Sequence, residues 1–261
     1  RDKLVTGVQT CALPIYGENQ DKTRQGHGGQ DACGGRGEMM DGKAFIEKVR
    51  EAFPALTEKQ EGQFLSLEGL YTDWNDKINV ISRKDICNLY EHHVLHSLSI
   101  ARYLAVRRPE LEVSWQEGGI SVLDLGTGGG FPGIPLAILF PSVRFTLCDS
   151  IGKKITVARE IASAIGLDNA VTVNERAEKL SGTFDFVVSR AVASLTDFYP
   201  WVKGKFSRDI LYLKGGGINE EIAALMGRFR FPKGSVRTWE VDSWLTDPYF
   251  EGKFVVDIER I

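Results

Sequence analysis

Apolar positions along the chain change period near residue 118. Before it they recur at helical spacing: Phe64, Leu67, Leu70, Tyr71, Trp74 and Ile78 form one broad stripe, and Leu95, Leu98, Ala101 and Leu104 form another. Thr57-Glu-Lys-Gln60 reads as a capping box at the start of the first helix, because the Thr hydroxyl can accept from the third helical N–H while Gln60 reaches back. Ser82, with Asp85 behind it, predicts the start of the next helix, and Arg107-Arg108-Pro109 its end. Residues 39–117 are therefore expected to form an N-terminal helical cap.

After residue 118 short apolar runs replace the stripes. Strands are predicted at 120–125, 143–149, 170–173, 184–188 and 210–213, separated by helical patterns such as 153–165, which stops at Gly166. Strand alternating with helix means a parallel, doubly wound sheet. Two closing strands, around 235–241 and 254–258, have only a short connection and predict an antiparallel edge pair. The fold class expected for 118–261 is thus α/β with a Rossmann-like sheet.

Composition narrows the picture. The chain has 261 residues, 43% apolar and 26% charged, with a net charge of −3, which argues against a generic polyanion binder coated in basic residues. Its longest apolar run, 131–141, is broken by Gly and Pro and too short to span a bilayer. Cys11, Cys33, Cys87 and Cys148 form no C-x-x-C pair and no zinc spacing, so a reducing compartment and no structural metal are expected. Residues 1–38 hold 8 of the 28 glycines and show no period; they are expected to be a non-native or disordered leader, with the start at Met39 or Met40.

The chemistry concentrates at Asp124-Leu-Gly126-Thr-Gly128-Gly-Gly130-Phe131-Pro-Gly133. Glycines let backbone pass beside a ligand without a Cβ, and the following helix start offers free N–H groups. Asp124, at the end of the first strand, can accept from loop N–H groups or from a ligand ammonium. Asp149 lies 21 residues after Gly128, where a ribose-binding acid belongs. The loop alone leaves three readings open: a methyltransferase using S-adenosylmethionine, an NAD-dependent oxidoreductase, and a non-catalytic nucleotide-binding module. Polar strand ends at Asn174–Glu178 and Ser189-Arg190-Ala191, without a separate substrate domain, favour the first.

Trp74-Asn75, Asn79–Ser82, His92–Leu98, Asp124–Leu136, Ser189–Leu195 and Lys214-Gly215 occur in one order. Together they resemble the small-subunit ribosomal RNA (guanine-N7) methyltransferase G family, also called glucose-inhibited division protein B, over about 41–261. The resemblance implies a cytoplasmic, monomeric bacterial enzyme that methylates N7 of a guanine in a decoding-region loop of 16S ribosomal RNA. Naked RNA or the small ribosomal subunit would be the partner, with no membrane and no metal. It places S-adenosylmethionine against Gly126 and Phe131, with Asp149-Ser150 at the ribose, Ala177-Glu178 beside the adenine and Arg190 lining the site. Glu91 departs from a common family form that carries Arg there.

Arg190 and Lys214 are the candidates for positioning substrate, through phosphate or the O6 and N7 acceptors of guanine. For Arg190 the competing expectation is a buried ion pair with Asp185 or Glu178. His92, His93 and His96 have helical spacing but no acidic third ligand, so ordinary surface or core histidines are expected. Neither an Asn/Asp-Pro-Pro-aromatic motif nor a Pro-Cys nucleophile occurs, and Cys148 reads as a buried inert thiol.

Overall fold

A computed structural model describes residues 39–261; the expected leader, with Cys11 and Cys33, lies outside the described residues. The described residues begin with α1 (Gly42–Ala52) and α2 (Glu58–Asn75). Asp41 caps α1 by accepting from the Ala44 N–H at 2.8 Å. The predicted capping box starts α2: the Gln60 side chain accepts from the Thr57 N–H at 2.9 Å while Thr57 Oγ1 accepts from the Gln60 N–H.

Ser82 does not start a helix, contrary to expectation. Its carbonyl accepts from the Asp85 and Ile86 N–H groups, which closes a turn. A 3-10 turn, Ile86–Asn88, then leads into a π-helical segment, Leu89–Leu95, continuous with α3 (His96–Arg107). The Asp85 carboxylate makes no cap bond to a helix end; its two oxygens lie against the rings of His92 and His93 in the π-helical segment. Pro109 occupies the first position of α4 (Pro109–Glu117), where its missing N–H costs nothing.

The sheet strands are β1 (Ser121–Leu125), β2 (Arg144–Asp149), β3 (Ala170–Asn174), β4 (Phe186–Arg190), β5 (Asp209–Gly215), β6 (Val236–Glu240) and β7 (Lys253–Glu259). Between them run α5 (Gly133–Leu139), α6 (Gly152–Ala164), α7 (Leu195–Val202) and α8 (Ile218–Phe229). Their order in space is β3-β2-β1-β4-β5-β7-β6. The first five strands pair in parallel, and β6 and β7 form the expected antiparallel pair. Of this pair β6 alone is an edge, however, since β7 also pairs with β5 along its whole length. Sequence explains the choice: Val255, Val256 and Ile258 are fully buried, whereas β6 carries Arg237, Thr238 and Glu240, residues suited to a solvated edge.

Side chains alternate between two apolar layers. Val122, Phe186, Val188, Leu211 and Leu213 face the layer shared with the helical cap, α5 and α6. Leu123, Val187, Ile210 and Tyr212 face the layer shared with α7 and α8. Phe45, Phe64, Leu98 and Trp115 of the cap belong to the same cluster as the sheet, so the cap is packed as part of the sheet's own core. At the far end of the strands, Asp257 of β7 accepts from Tyr103 at 2.7 Å and pairs with Arg108, which fastens α3 to the sheet. Among the described residues no helix is long and apolar enough to cross a membrane.

Candidate active site

The glycine turn follows β1 at the carboxyl end of the parallel strands. Its N–H groups at Gly126 and Thr127 donate to the Cys148 carbonyl at 2.8 and 3.0 Å, which holds the turn against β2. A Cβ at Gly126 would stand 2.5 Å from the Val192 side chain, and its φ of +75° disfavours any other residue. Gly133 is needed for a different reason. A Cβ there would overlap Leu147 and stand 2.6 Å from Asp124 Oδ2.

Two carboxylates fasten this turn from inside. Asp124 is fully buried; its Oδ2 accepts from Thr127 Oγ1 at 2.6 Å and from the Gly133 N–H at 2.8 Å, while Oδ1 has no partner among the described residues. Burial raises its pKa to about 7, although both hydrogen bonds favour the charged form. Asp149 accepts from the Gly128 N–H at 2.9 Å and from the Ile151 N–H at 2.8 Å, one bond per oxygen. The cap secures the turn from outside. Tyr71 donates to the Gly129 carbonyl at 2.8 Å, Asn75 Oδ1 accepts from the Val80 and Ile81 N–H groups, and Val80 packs against Gly129.

A cavity of about 490 Å³ opens beside the turn. Gly126, Asp149, Ser150, Ala177, Glu178 and Arg190, all singled out in the sequence, line it together. Asp124, Gly128 and Phe131 do not. Asp124 and Gly128 hold the turn, and Phe131 stacks on Tyr71 with ring centroids 4.8 Å apart. Asp124 fastens the turn through Oδ2 alone. Lys154, Ile151, Val192 and Trp201 are also on the wall. The last three are apolar: Ile151 follows the end of β2, Val192 lies within the Ser189–Leu195 motif, and Trp201, near the end of α7, carried no signal in the sequence. Cys148 is buried as expected, and burial pushes its thiol up to about 11.

Arg190 makes neither expected ion pair. Asp185 stands at the opposite end of β4, accepting from the Ser121 N–H and hydroxyl, and Glu178 lies on the cavity wall. Among the described residues no carboxylate comes within ion-pair distance of the Arg190 guanidinium. It lies 5.1 Å over the Phe131 ring and donates to His93 Nδ1 at 3.1 Å and to the His92 carbonyl at 3.4 Å. Its pKa is lowered by burial.

Lys214 does not reach the cavity. Its ammonium donates to the Ala193 carbonyl at 2.8 Å and pairs with Glu221 at 3.1 Å. Tyr212 adds to this support, accepting from the Val192 and Ala193 N–H groups and donating to the Ala193 carbonyl. Both residues thereby shape the turn after β4, where Ala191 adopts φ +49°. Among the described residues no group of three His, Cys, Asp or Glu side chains gathers to hold a metal.

This strand order, with its glycine turn after β1 and acid at the end of β2, defines a class I, Rossmann-like methyltransferase. An antiparallel β7 beside β5 sets it apart from the wholly parallel dinucleotide-binding sheet, and the oxidoreductase reading falls with it. The magnesium protoporphyrin IX methyltransferase of Synechocystis, solved with bound SAM, shares the fold at a TM-score of 0.51 and 15% identity; the match covers 79% of this chain and 99% of that one. The GidB family, described as rRNA small subunit methyltransferase G, matches residues 60–241. The chain belongs to that family. Its relatives named ribosomal RNA small subunit methyltransferase G include one from Flavobacterium psychrophilum, 47% identical over 82% of this chain and 97% of its own length. Another, from Bacteroides fragilis, is 53% identical over 69% of this chain and 80% of its own.

Proposed function

We propose that the protein transfers a methyl group from S-adenosylmethionine to N7 of a guanine in a decoding-region loop of 16S ribosomal RNA, in the bacterial cytoplasm. The observation that carries this reading is Arg190, a half-buried guanidinium without a carboxylate partner among the described residues, on the wall of the cavity. Such a group keeps N–H donors for a ligand, and the O6 edge of guanine beside N7 is an acceptor of matching geometry.

The residues present fit the cofactor. The cavity volume lies in the range of small-molecule sites, about 300–1,000 Å³, and Gly126 presents backbone alone to its wall. Asp149, with one lone pair left on each oxygen, and Ser150 would hold the ribose hydroxyls; Ala177 and Glu178 would hold the adenine. When bound, S-adenosylmethionine supplies an electrophilic methyl carbon on a sulfonium. Guanine N7 offers an in-plane lone pair and has no proton to lose, so the protein's task is alignment at about 3 Å and exclusion of water. Arg190 would align the base, and Ile151, Val192 and Trp201 would shield the cavity. Asp124, Gly128 and Phe131 support the site from beneath, and Lys214 keeps the post-β4 turn in place.

The test is transfer of labelled methyl from S-adenosylmethionine to 16S RNA, both free and in small subunits from cells that lack the enzyme. Methylated RNA is then cleaved chemically at N7-methylguanine. A single cleavage site in a decoding-region loop is expected. Label on an amino group, a pyrimidine or another RNA would overturn the assignment.

A further inference from the structure

His93 stands between two charged groups of opposite sign. Its Nε2 lies 2.7 Å from Asp85 Oδ2 and its Nδ1 lies 3.1 Å from Arg190 Nη2. A guanidinium nitrogen can only donate, so Nδ1 must accept and the ring proton must sit on Nε2, which donates to Asp85. Asp85 is itself shared: its other oxygen lies 2.6 Å from His92 Nδ1. Although burial opposes its charge, the hydrogen bonds from His93 and His92 hold Asp85 well below the usual carboxylate range. The π-helical backbone of Leu89–Leu95 makes this possible, since its wider turn lets two adjacent residues, His92 and His93, reach one carboxylate. The same segment presents the His92 carbonyl to Arg190 Nη1.

We infer that His93, locked in its Nε2–H tautomer by Asp85, is a positioning residue that fixes the Arg190 guanidinium for methyl transfer. The inference rests on the reading of Arg190 as the group that meets the target base. An arginine without a carboxylate partner has no ionic bond to hold its plane. Here the plane is set by three neutral contacts: the Phe131 face, the His92 carbonyl and the His93 lone pair. Only the last can be removed by a proton. Protonated at Nδ1, His93 would point N–H at N–H and expel the guanidinium from its position.

The surroundings keep that event away from neutral pH. His93 faces Asp85 from the preceding loop and Arg190 from the end of β4, with His92 and His96 on its own helix. Tyr249 stacks on His92, Lys253 acts on neighbouring His96, and Asp124 and Tyr71 act on Arg190 from below. Burial lowers the His93 pKa below the ordinary imidazole value, and Arg190 adds to the effect against the opposing pull of Asp85. The neutral ring is therefore the working form from neutrality upward, and activity is lost toward acid.

Two substitutions separate the two bonds, because an Asn amide overlays Nδ1 and a Gln amide overlays Nε2. His93→Asn keeps an acceptor for Arg190; His93→Gln keeps a donor for Asp85 only. Single-turnover methylation of small subunits at saturating S-adenosylmethionine and RNA is measured beside Arg190→Ala. His93→Gln should slow transfer by about tenfold or more, the kinetic equivalent of one lost buried hydrogen bond. His93→Asn should recover most of the rate and lose the fall in rate toward acid that protonation of the wild-type ring is expected to cause. Affinity for S-adenosylmethionine should stay near that of the wild type in both variants. Nitrogen NMR of the wild-type ring, independent of activity, should show a protonated Nε2 and an unprotonated Nδ1. A Nδ1–H tautomer, or equal rates for the Asn and Gln variants while Arg190→Ala is slow, overturns the inference. An unimpaired Arg190→Ala enzyme instead overturns the reading of the site on which it stands.

Discussion

Asp124→Asn asks whether the carboxyl beneath the glycine turn carries a proton at neutral pH. Burial lifts its pKa to about 7 in the folded protein, against the pull of Thr127 and Gly133. In the unfolded chain the same group ionises near 3.9. A raised acid stabilises the fold fully below the unfolded value, and that contribution is lost as pH rises through the folded one. The loss therefore runs from about pH 4 to about pH 7 and amounts to about 4 kcal/mol, at 1.36 kcal/mol per unit. Between pH 5 and pH 8 it is about 2.5 kcal/mol. Asparagine does not titrate. At pH 5 the variant should be less stable by about 1–3 kcal/mol, since its amide nitrogen would take the unpartnered place of Oδ1. By pH 8 the gap should have moved about 2.5 kcal/mol in the variant's favour. Urea unfolding of both cofactor-free proteins at intervals across this range measures the gap. A difference that stays constant from pH 5 to pH 8 would mean a carboxylate ionised throughout, and the reasoning from burial would fail.

Other outcomes follow from the same geometry. Gly128→Val should weaken S-adenosylmethionine binding in calorimetry with a modest loss of stability, because a β-branched residue is strained at φ +58° and would disturb the turn that Asp149 holds through the Gly128 N–H; undiminished affinity would mean that the cavity does not depend on the shape of this turn. Gly133→Ala should destabilise the protein by about 1–3 kcal/mol through overlap with Leu147 and Asp124, read as a lower urea midpoint. Arg190→Ala should slow transfer at least about tenfold with little change in stability, since no ion pair is broken; a large drop in melting temperature would indicate a structural role instead. The saturated transfer rate should vary far less between about pH 6 and 9 than the tenfold per unit expected of a reaction awaiting a base.

The layers of this fold were open to reading because periodicity reports burial directly. Val122, Leu123, Val187 and Val188 form runs that only a sheet covered on both faces requires. The glycine turn was equally plain, since five glycines in eight positions serve no helix or strand. Two things were hidden. The turn at Ser82 carries every sign of a helix start, and only the histidines beyond it, folded back by a π-helical segment, explain where Asp85 goes. Lys214 and Asp124 bear the residue types of ligand-binding groups yet spend their bonds on the loops beside the cavity. Sequence shows that a charge is present near a site; it does not show which partner has already taken it.

The position of β7 gives this protein a late closing step during synthesis. Residues 253–259 are made after every other strand, yet they occupy an interior place, hydrogen-bonded to β5 on one side and β6 on the other. Until the ribosome delivers them, β5 is an open edge rich in Ile210, Leu211, Tyr212 and Leu213, and β6 has no strand beside it. Asp257, which anchors Tyr103 and Arg108, also arrives with this strand, so this fastening of α3 waits on it as well. A frameshift or stop codon shortly before residue 253 would thus remove an interior stave of the sheet and leave β5 as an exposed strand edge that invites aggregation.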